Sequence, residues 1–209
     1  MITIKTFVEG PIDANNYLVI DEESKEAVLI DCSSSREEYI QAVKDSNINL
    51  KYILLTHGHF DHILGLNAFK NEFNVEVFMA KEDEKQLEFA PQMCSIFTGN
   101  DMTSNIEVKN YIKDNDELFI GKTKIKAIST PGHTEGGMCY LIENKLFSGD
   151  TLFQGSVGRC DMPGGDLGTI IKSIKEKLFI LPDEIEVYTG HGPKTVIGFE
   201  KKYNEIINL

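Results

Sequence analysis

A short apolar run at residues 52–55 is followed directly by a polar loop that contains three of the chain's five histidines. A continuous apolar run of this length, bounded by polar residues, is typical of a buried strand. The loop, residues 56–62, has the sequence Thr-His-Gly-His-Phe-Asp-His. Ligand sites lie preferentially just beyond the carboxyl ends of such strands. The sequence therefore predicts a buried sheet with a polar, ligand-binding edge.

The loop offers four candidate metal ligands, His57, His59, Asp61 and His62. A single histidine is more often a hydrogen-bonded polar residue than a ligand, but three imidazoles and a carboxylate this close together are costly to bury without a cation. Imidazole and carboxylate together suit Zn, Fe or Mn. His57 and His59 project from the same side of an extended segment, whereas Asp61 and His62 lie further along. We therefore expect two metal ions, each of which needs further ligands from elsewhere.

Three other predicted strand ends supply the remaining candidates. His133 lies in a Pro-Gly-His-Thr turn, Asp150 follows Ser-Gly, and His191 lies in Gly-His-Gly-Pro. A neighbouring glycine allows a tight turn or a close approach of the backbone to a ligand. One proposed site thus accounts for all five histidines of the chain.

Strands and helices alternate in runs along the chain, as expected for two packed sheets with helices outside them. Strands are predicted at 2–8, 17–20, 27–31, 52–55, 75–79, 119–120, 125–129, 138–142, 146–148 and 185–189. Helices are predicted after a capping box at Ser34 and Ser35 through about 44, at 63–73, at 81–89 up to Pro91, from an Asp166 cap to about 178, and from about 198. Residues 92–105 are expected to form a loop or a cap over the site. No linker is apparent, so 1–209 is predicted to be a single domain.

The composition disfavours several classes of function. A net charge of −12 at pH 7 repels phosphate backbones and argues against a nucleic-acid substrate. No apolar stretch approaches the roughly 20 residues needed to span a bilayer, and the N-terminal residues do not resemble a signal peptide. The four cysteines form no Cys-x-x-Cys pair, as expected for reduced thiols in the cytoplasm. We expect a cytoplasmic enzyme, monomeric or homodimeric, that acts on a small molecule.

The chain resembles the metallo-β-lactamase superfamily over nearly its whole length. Four motifs carry the resemblance: His57-x-His59-x-Asp61-His62, Pro131-Gly132-His133-Thr134, Gly149-Asp150 and Gly190-His191-Gly192. The resemblance implies a four-layer αββα fold with two mixed sheets. It also implies two divalent ions, with zinc the expected metal and Fe or Mn the alternatives. The ligands implied are His57, His59 and His133 for one ion, Asp61, His62 and His191 for the other, and Asp150 as the bridge.

Within that superfamily, residues 155–166 and 191–195 look like the corresponding segments of glyoxalase II-like (hydroxyacylglutathione hydrolase-like) enzymes. This implies thioester hydrolysis, in which a water activated between the two ions attacks the carbonyl carbon. Asp61 and His59 are the expected catalytic residues, and Asp61 would orient that water. Arg159 is expected either to bind a substrate carboxylate or to form an ion pair with a nearby aspartate; Lys194 is a weaker candidate for substrate binding. Full glyoxalase II enzymes add a C-terminal helical region that binds glutathione, which the short tail after His191 does not match.

Three alternatives remain open at this point. A persulfide dioxygenase would share the fold but use one iron, held by His57, His59 and Asp150. A non-catalytic metal-binding or interaction protein would be expected to have lost ligands. A secreted β-lactamase is disfavoured, because no signal peptide is visible and such enzymes usually differ at Asp61 and His62.

Overall fold

Two six-stranded sheets form the centre of a computed structural model that describes residues 1–102 and 106–207. The first sheet is antiparallel from β1 to β3 and parallel from β3 to β6. Its strands, in both chain and spatial order, are β1 (Ile2–Glu9), β2 (Ala14–Asp21), β3 (Glu26–Ile30), β4 (Asn49–Leu54), β5 (Glu76–Met79) and β6 (Asn110–Tyr111).

The second sheet is also mixed, and a separate hairpin lies between two of its strands in the sequence. Its strands are β7 (Glu117–Ile120), β8 (Thr123–Ser129), β9 (Met138–Ile142), β10 (Lys145–Gly149), β13 (Glu186–Thr189) and β14 (Thr195–Val196). The hairpin consists of β11 (Leu152–Phe153) and β12 (Ser156–Val157). The spatial order is β14-β13-β10-β9-β8-β7, and β10 with β13 is the parallel pair.

Five α-helices in the described ranges lie on the outer faces of these sheets. They are α1 (Glu37–Lys44), α2 (Leu66–Phe73), α3 (Glu84–Thr98), α4 (Leu167–Ser173) and α5 (Ile197–Tyr203). Short 3-10 turns at Phe60–His62 and Lys81–Asp83 precede α2 and α3, and a π-helical turn at Ile174–Leu178 continues α4. None of the helices in residues 1–102 and 106–207 is both long and apolar enough to cross a bilayer.

Three apolar clusters separate four layers. The cluster between the two sheets includes Val28, Leu54, Ala127, Tyr140 and Phe147. A second cluster joins the outer face of the first sheet to α1, α2 and α3, and a third joins the outer face of the second sheet to α4 and α5. The alternation of side chains along each strand supplies both faces of each sheet with apolar residues. The predicted αββα sandwich is therefore confirmed.

Two local predictions about helices are wrong. Helix α3 does not stop near Pro91 but continues through it to Thr98. A proline inside a helix removes one backbone hydrogen bond, but Ala90 and Cys94 are buried in the core on either side of it, and Phe97 stacks on Phe60. These tertiary contacts outweigh the local cost. Much of the 92–105 segment is thus helical, while residues 103–105 lie outside the described residues.

The predicted capping box before α1 is also absent. Residue Arg36 occupies the N-cap position without a side-chain hydrogen bond, because the Ser34 hydroxyl instead accepts the N–H of Arg36 in a local turn. The predicted cap of α4 is confirmed, since the Asp166 carboxylate accepts the N–H of Thr169 at 2.7 Å.

Candidate metal centre

The loops that follow β4, β8, β10 and β13 meet at one edge of the two sheets. Backbone hydrogen bonds tie them together: Met138 N–H to the Thr56 carbonyl (2.8 Å), Gly190 N–H to the Gly149 carbonyl (2.8 Å) and Asn15 N–H to the Gly190 carbonyl (2.7 Å). Residues far apart in the sequence are thereby held at fixed positions around one point.

The structure brings all seven predicted ligands to this point. Three groups have ligand atoms that lie within 4.8 Å of one another: His57, His59 and His133; Asp61, His62 and His191; and His57, His62 and Asp150. The first two groups are the ligand sets that the resemblance implied for two ions, and Asp150, the residue implied as the bridge, lies between them.

In the first group, each imidazole contributes one nitrogen to a cluster whose ligand atoms lie within 4.8 Å of one another. His59 Nδ1 lies 2.9 Å from His133 Nε2. His133 Nδ1 donates to the Arg159 carbonyl at 2.7 Å, so Nε2 carries a lone pair rather than a proton when the ring is neutral. His57 Nε2 is buried and makes no hydrogen bond among the described residues.

The second group has the same character. His62 Nδ1 donates to Asp31 Oδ2 at 2.8 Å, which leaves Nε2 of the neutral ring as a lone-pair donor. That Nε2 lies 3.2 Å from Asp61 Oδ2 and 3.3 Å from His191 Nε2. The Asp61 oxygen lies in turn 3.1 Å from His191 Nε2.

Asp150 lies between the two groups. Its Oδ1 lies 3.4 Å from His62 Nε2, and its Oδ2 lies 3.6 Å from His133 Nε2 and 3.7 Å from His191 Nε2. The Oδ1 atom is buried and makes no hydrogen bond in the described part of the chain.

Lone pairs of nitrogen and carboxylate oxygen thus converge, while protein groups outside the cluster fix the tautomers of His62 and His133. Nitrogen and oxygen donors of this kind suit divalent cations such as zinc, so the residues fit the metal ions that the resemblance implies. Burial lowers the pKa of His57 well below its usual range and the pKa of His59 to about 3. Both rings are therefore neutral at pH 7, and each has a lone pair that can bind a metal ion.

In the second group, attraction between carboxylates and histidines outweighs the effect of burial on the pKa values. Burial alone would raise the pKa of Asp61, but His62 and His191 outweigh it and hold that pKa below its usual range. Burial alone would lower the pKa of His62, but Asp61, Asp31 and Asp150 outweigh it and raise that pKa well above its usual value. A cation that binds His62 Nε2 takes the place of a proton there.

Three residues outside the proposed ligand set hold this centre in place, and the sequence analysis identified none of them. Asp31 accepts the N–H and hydroxyl of Thr56 at 2.7 and 2.8 Å as well as His62 Nδ1. Asp83 accepts from the His57–His62 loop and from the 132–137 turn, through the N–H groups of Gly58 (2.8 Å) and Gly136 (2.6 Å).

Asn15 is the third. Its amide donates to the carbonyls on either side of His191, those of Thr189 and Gly192, at 2.9 Å each. The sequence pattern could have identified Asp31, because this residue directly follows an apolar strand as the proposed ligands do. Asp83 lies in the charged run 81–84, where nothing in the sequence distinguishes it.

Two glycines are required by the close packing of these loops. Gly149 has φ +49°, and a Cβ there would lie 2.4 Å from the Thr56 hydroxyl oxygen. A Cβ on Gly190 would lie 2.1 Å from Asp150 Oδ1. The expectation that glycines beside Asp150 and His191 permit close approach is confirmed.

The centre opens into a cavity of about 330 Å³. Five of the proposed ligands line it: His59, Asp61, His133, Asp150 and His191. Arg159 lines the cavity too, but its guanidinium donates twice to Asp161, at 2.7 and 2.8 Å. Lys194 is not among the lining residues and pairs with Glu186 at 2.8 Å. The structure thus brings Arg159, but not Lys194, to the cavity.

The sandwich and the histidine–aspartate centre at its edge together define a metal-dependent hydrolase. The chain belongs to the metallo-beta-lactamase superfamily, whose family model matches residues 10–191.

Similar proteins with known names or structures match almost the whole chain. Hydroxyacylglutathione hydrolase GloC of Haemophilus influenzae is 35% identical over 92% of this chain and 92% of its own length. The crystal structure of BLEG-1 B3 metallo-beta-lactamase has a TM-score of 0.91 and 35% identity, covering 99% of this chain and 100% of that one. TTHA1623 in a di-iron-bound form has a TM-score of 0.87 and 31% identity, covering 96% and 98%.

Proposed function

We propose that this protein hydrolyses thioesters of small molecules with two divalent metal ions, zinc being the expected metal. The observation that carries the proposal is the pair of three-ligand groups with Asp150 between them, at a cavity large enough for a small substrate. His57, His59 and His133 would hold one ion, and Asp61, His62 and His191 the other. When bound, such ions lower the pKa of water and polarise a carbonyl oxygen.

The protein's own residues position the reactants. Asp61 faces the cavity with its Oδ2 3.1 Å from His191 Nε2, and its carboxylate would orient the attacking water and accept a hydrogen bond from it. His59 also lines the cavity, on the side of the first ligand group. Asp31 and Asp83 keep the ligand-bearing loops in register, which preserves the geometry through the reaction.

The scarcity of proton donors around the cavity favours a thioester, whose leaving group needs little help from an acid. Beyond the proposed ligands, the described lining residues are Ile12, Phe60, Met93, Phe97, Phe153, Arg159 and Met162. None of these side chains gives up a proton readily near pH 7, since the others are apolar and arginine stays charged. A thiolate, with a thiol pKa of about 8.5, leaves without much help from an acid, whereas an alkoxide or amide anion needs protonation. The similarity to GloC, a hydroxyacylglutathione hydrolase, points the same way.

β-Lactam hydrolysis is a second candidate, favoured by the similarity to BLEG-1 B3 metallo-beta-lactamase. The mononuclear iron dioxygenase remains an alternative on the same fold, and it needs only His57, His59 and Asp150. Convergence of Asp61, His62 and His191 into a second group favours two ions over one. A non-catalytic role is disfavoured because no proposed ligand is missing.

The remaining expectations are proposals as well. We propose that residues 1–209 form one domain, that the protein works in the cytoplasm as a monomer or homodimer, and that it binds neither nucleic acid nor membrane. Substrate binding by Arg159 would require a carboxylate to compete with Asp161 for its guanidinium. Lys194 could contact only a part of the substrate that extends outside the described cavity.

The test measures bound metal and hydrolysis in parallel for wild type, His59→Ala and a control, Gln41→Ala, at an exposed position on helix α1. The substrate panel contains S-lactoylglutathione, other thioesters, lactones, phosphodiesters and a β-lactam. We expect His59→Ala to lose metal and at least about 100-fold in thioester hydrolysis, and Gln41→Ala to match wild type. Unchanged activity with full metal content in His59→Ala would refute the proposal. Hydrolysis of the β-lactam alone would support the second candidate.

A further inference from the structure

Apolar side chains from four separate segments line the cavity together with the proposed metal ligands. This apolar wall consists of Ile12, Met93, Phe97, Phe153 and Met162. Ile12 comes from the turn between β1 and β2, Met93 and Phe97 from α3, Phe153 from β11 and Met162 from the loop before α4. Convergence of such segments on the mouth of a polar centre indicates a surface that contacts a ligand.

Two residues of the wall are exposed, the other three are half-buried, and its aromatic rings are held in place. Ile12 and Phe97 keep 40% and 44% of their surface exposed, although both are apolar. Phe97 stacks on Phe60 with ring centroids 6.0 Å apart, and Phe153 meets the His191 ring edge-on at 6.4 Å. Aromatic rings fixed in this way provide apolar contact area without further ordering when a ligand binds.

Charged groups that would recognise a polar substrate are scarce around this wall. Arg159 is the one lysine or arginine among the described lining residues. Its guanidinium already pairs with both oxygens of Asp161, and it lies 5.8 Å from the centre of the Phe97 ring. Glutathione has two carboxylates and one ammonium group, and placing such charges against carbon surface without partners is unfavourable. A net charge of −12 adds repulsion toward an anionic thiol.

We infer that the substrate is a thioester whose apolar acyl group lies against the apolar wall, and that this contact, rather than contact with glutathione, determines specificity. The inference rests on the proposed thioesterase activity and names its substrate class. Each methylene that moves from water to the wall favours binding by about 0.8 kcal/mol, or about fourfold. With a cavity of about 330 Å³, we expect this gain to continue over several methylenes and then to stop.

The first experiment measures kcat/KM of the metal-loaded enzyme for acetyl, butyryl and hexanoyl thioesters of N-acetylcysteamine, which share one leaving group. We expect a rise of roughly fourfold per methylene, before the cavity is filled. The butyryl thioester of glutathione is then compared with that of N-acetylcysteamine, and we expect less than a threefold advantage for glutathione. A flat series, or a glutathione advantage of tenfold or more, would overturn the inference.

Variants locate the effect on the wall. Phe97→Ala should reduce the dependence of kcat/KM on chain length, and Phe97→Leu should retain most of it. Phe199→Ala is the matched control, because Phe199 is 43% exposed on α5 and is not among the residues that line the cavity. The inference is wrong if Phe97→Ala keeps the wild-type chain-length dependence, or if Phe199→Ala loses it.

A binding measurement separates this inference from the proposed function. Titration calorimetry of the metal-loaded protein with acetate, butyrate and hexanoate reports on the wall without any reaction. Affinity that rises with chain length while no thioester is hydrolysed would contradict the proposed function and support the apolar wall. Affinity that stays constant across the series would contradict the inference, whatever the enzyme hydrolyses.

Discussion

Asp31 is the residue whose substitution best tests how the protein prepares its second group of ligands. Its Oδ2 accepts both His62 Nδ1 and the Thr56 hydroxyl at 2.8 Å, and its Oδ1 accepts the Thr56 N–H at 2.7 Å. A carboxylate can accept at both oxygens, whereas the amide of Asp31→Asn can accept at only one.

Either orientation of the asparagine has a cost. With its NH₂ toward His62, Nδ1 must become an acceptor, so the proton moves to Nε2 and the nitrogen that faces Asp61 is lost as a ligand. With its NH₂ toward the backbone N–H of Thr56, two donors face each other, and the buried Thr56 N–H is left unpaired at a cost of about 1–3 kcal/mol. Loss of such a partner of a ligating histidine typically weakens metal binding roughly 10- to 100-fold, about 1.4–2.7 kcal/mol.

The assay is competition for zinc between metal-free protein and a chromophoric chelator, which resolves two dissociation constants. For Asp31→Asn we expect the dissociation constant of the site that contains His62 to rise by roughly 10- to 100-fold. Asp21→Asn is the control, since Asp21 is equally buried and hydrogen-bonded to Thr123 but lies at the opposite end of β2 from Asn15. Nitrogen NMR of the histidine rings reports the tautomer of His62. A folded Asp31→Asn protein with wild-type zinc affinity at both sites would refute the reasoning.

Three other predictions concern stability. Removing metal with a chelator should lower the melting temperature by several degrees, and zinc should restore it, because ligands that bind only the folded state stabilise it; an unchanged melting temperature would contradict this. Leu54→Ala, in the core between the sheets, should lower the free energy of unfolding by about 2–5 kcal/mol without changing metal stoichiometry, as measured by urea unfolding and elemental analysis. The hydrogen bond from Thr123, followed by that from Ser24, lowers the pKa of Asp21 to about 2 in the folded state. The ionised carboxylate therefore stabilises the fold above its unfolded pKa, which is near 3.8. This contribution is lost as the pH falls toward 2. Thr123→Val should therefore be less stable than wild type at pH 7, by a difference that shrinks below pH 4; a difference independent of pH would contradict this.

The layers of the fold and the positions of the seven candidate ligands were predictable because they depend on local patterns. Apolar strands such as 52–55, followed at once by histidine or aspartate, appear directly in the sequence. Each motif also contains its own glycine, because the tight turn in that motif requires one.

The failures have a different physical origin. Helix α3 continues past Pro91 because of Phe60 and the core beneath Cys94, which lie elsewhere in the chain or in space. The role of Asp83 depends on two loops about 25 and 50 residues away from it, those of Gly58 and Gly136. No pattern within the charged run 81–84 encodes such contacts, since they exist only after the sheets have packed.

The central claim, that this chain builds one centre for two ions, is tested most directly by its metal stoichiometry. Metal-free protein is loaded with zinc, freed of excess by gel filtration and measured by elemental analysis. The control is His191→Ala, which removes a ligand from the group with Asp61 and His62 but none from His57, His59 and His133. We expect two zinc ions per wild-type chain and about one per chain in the variant. A single ion in the wild type, with full hydrolysis of the thioester, would contradict the claim.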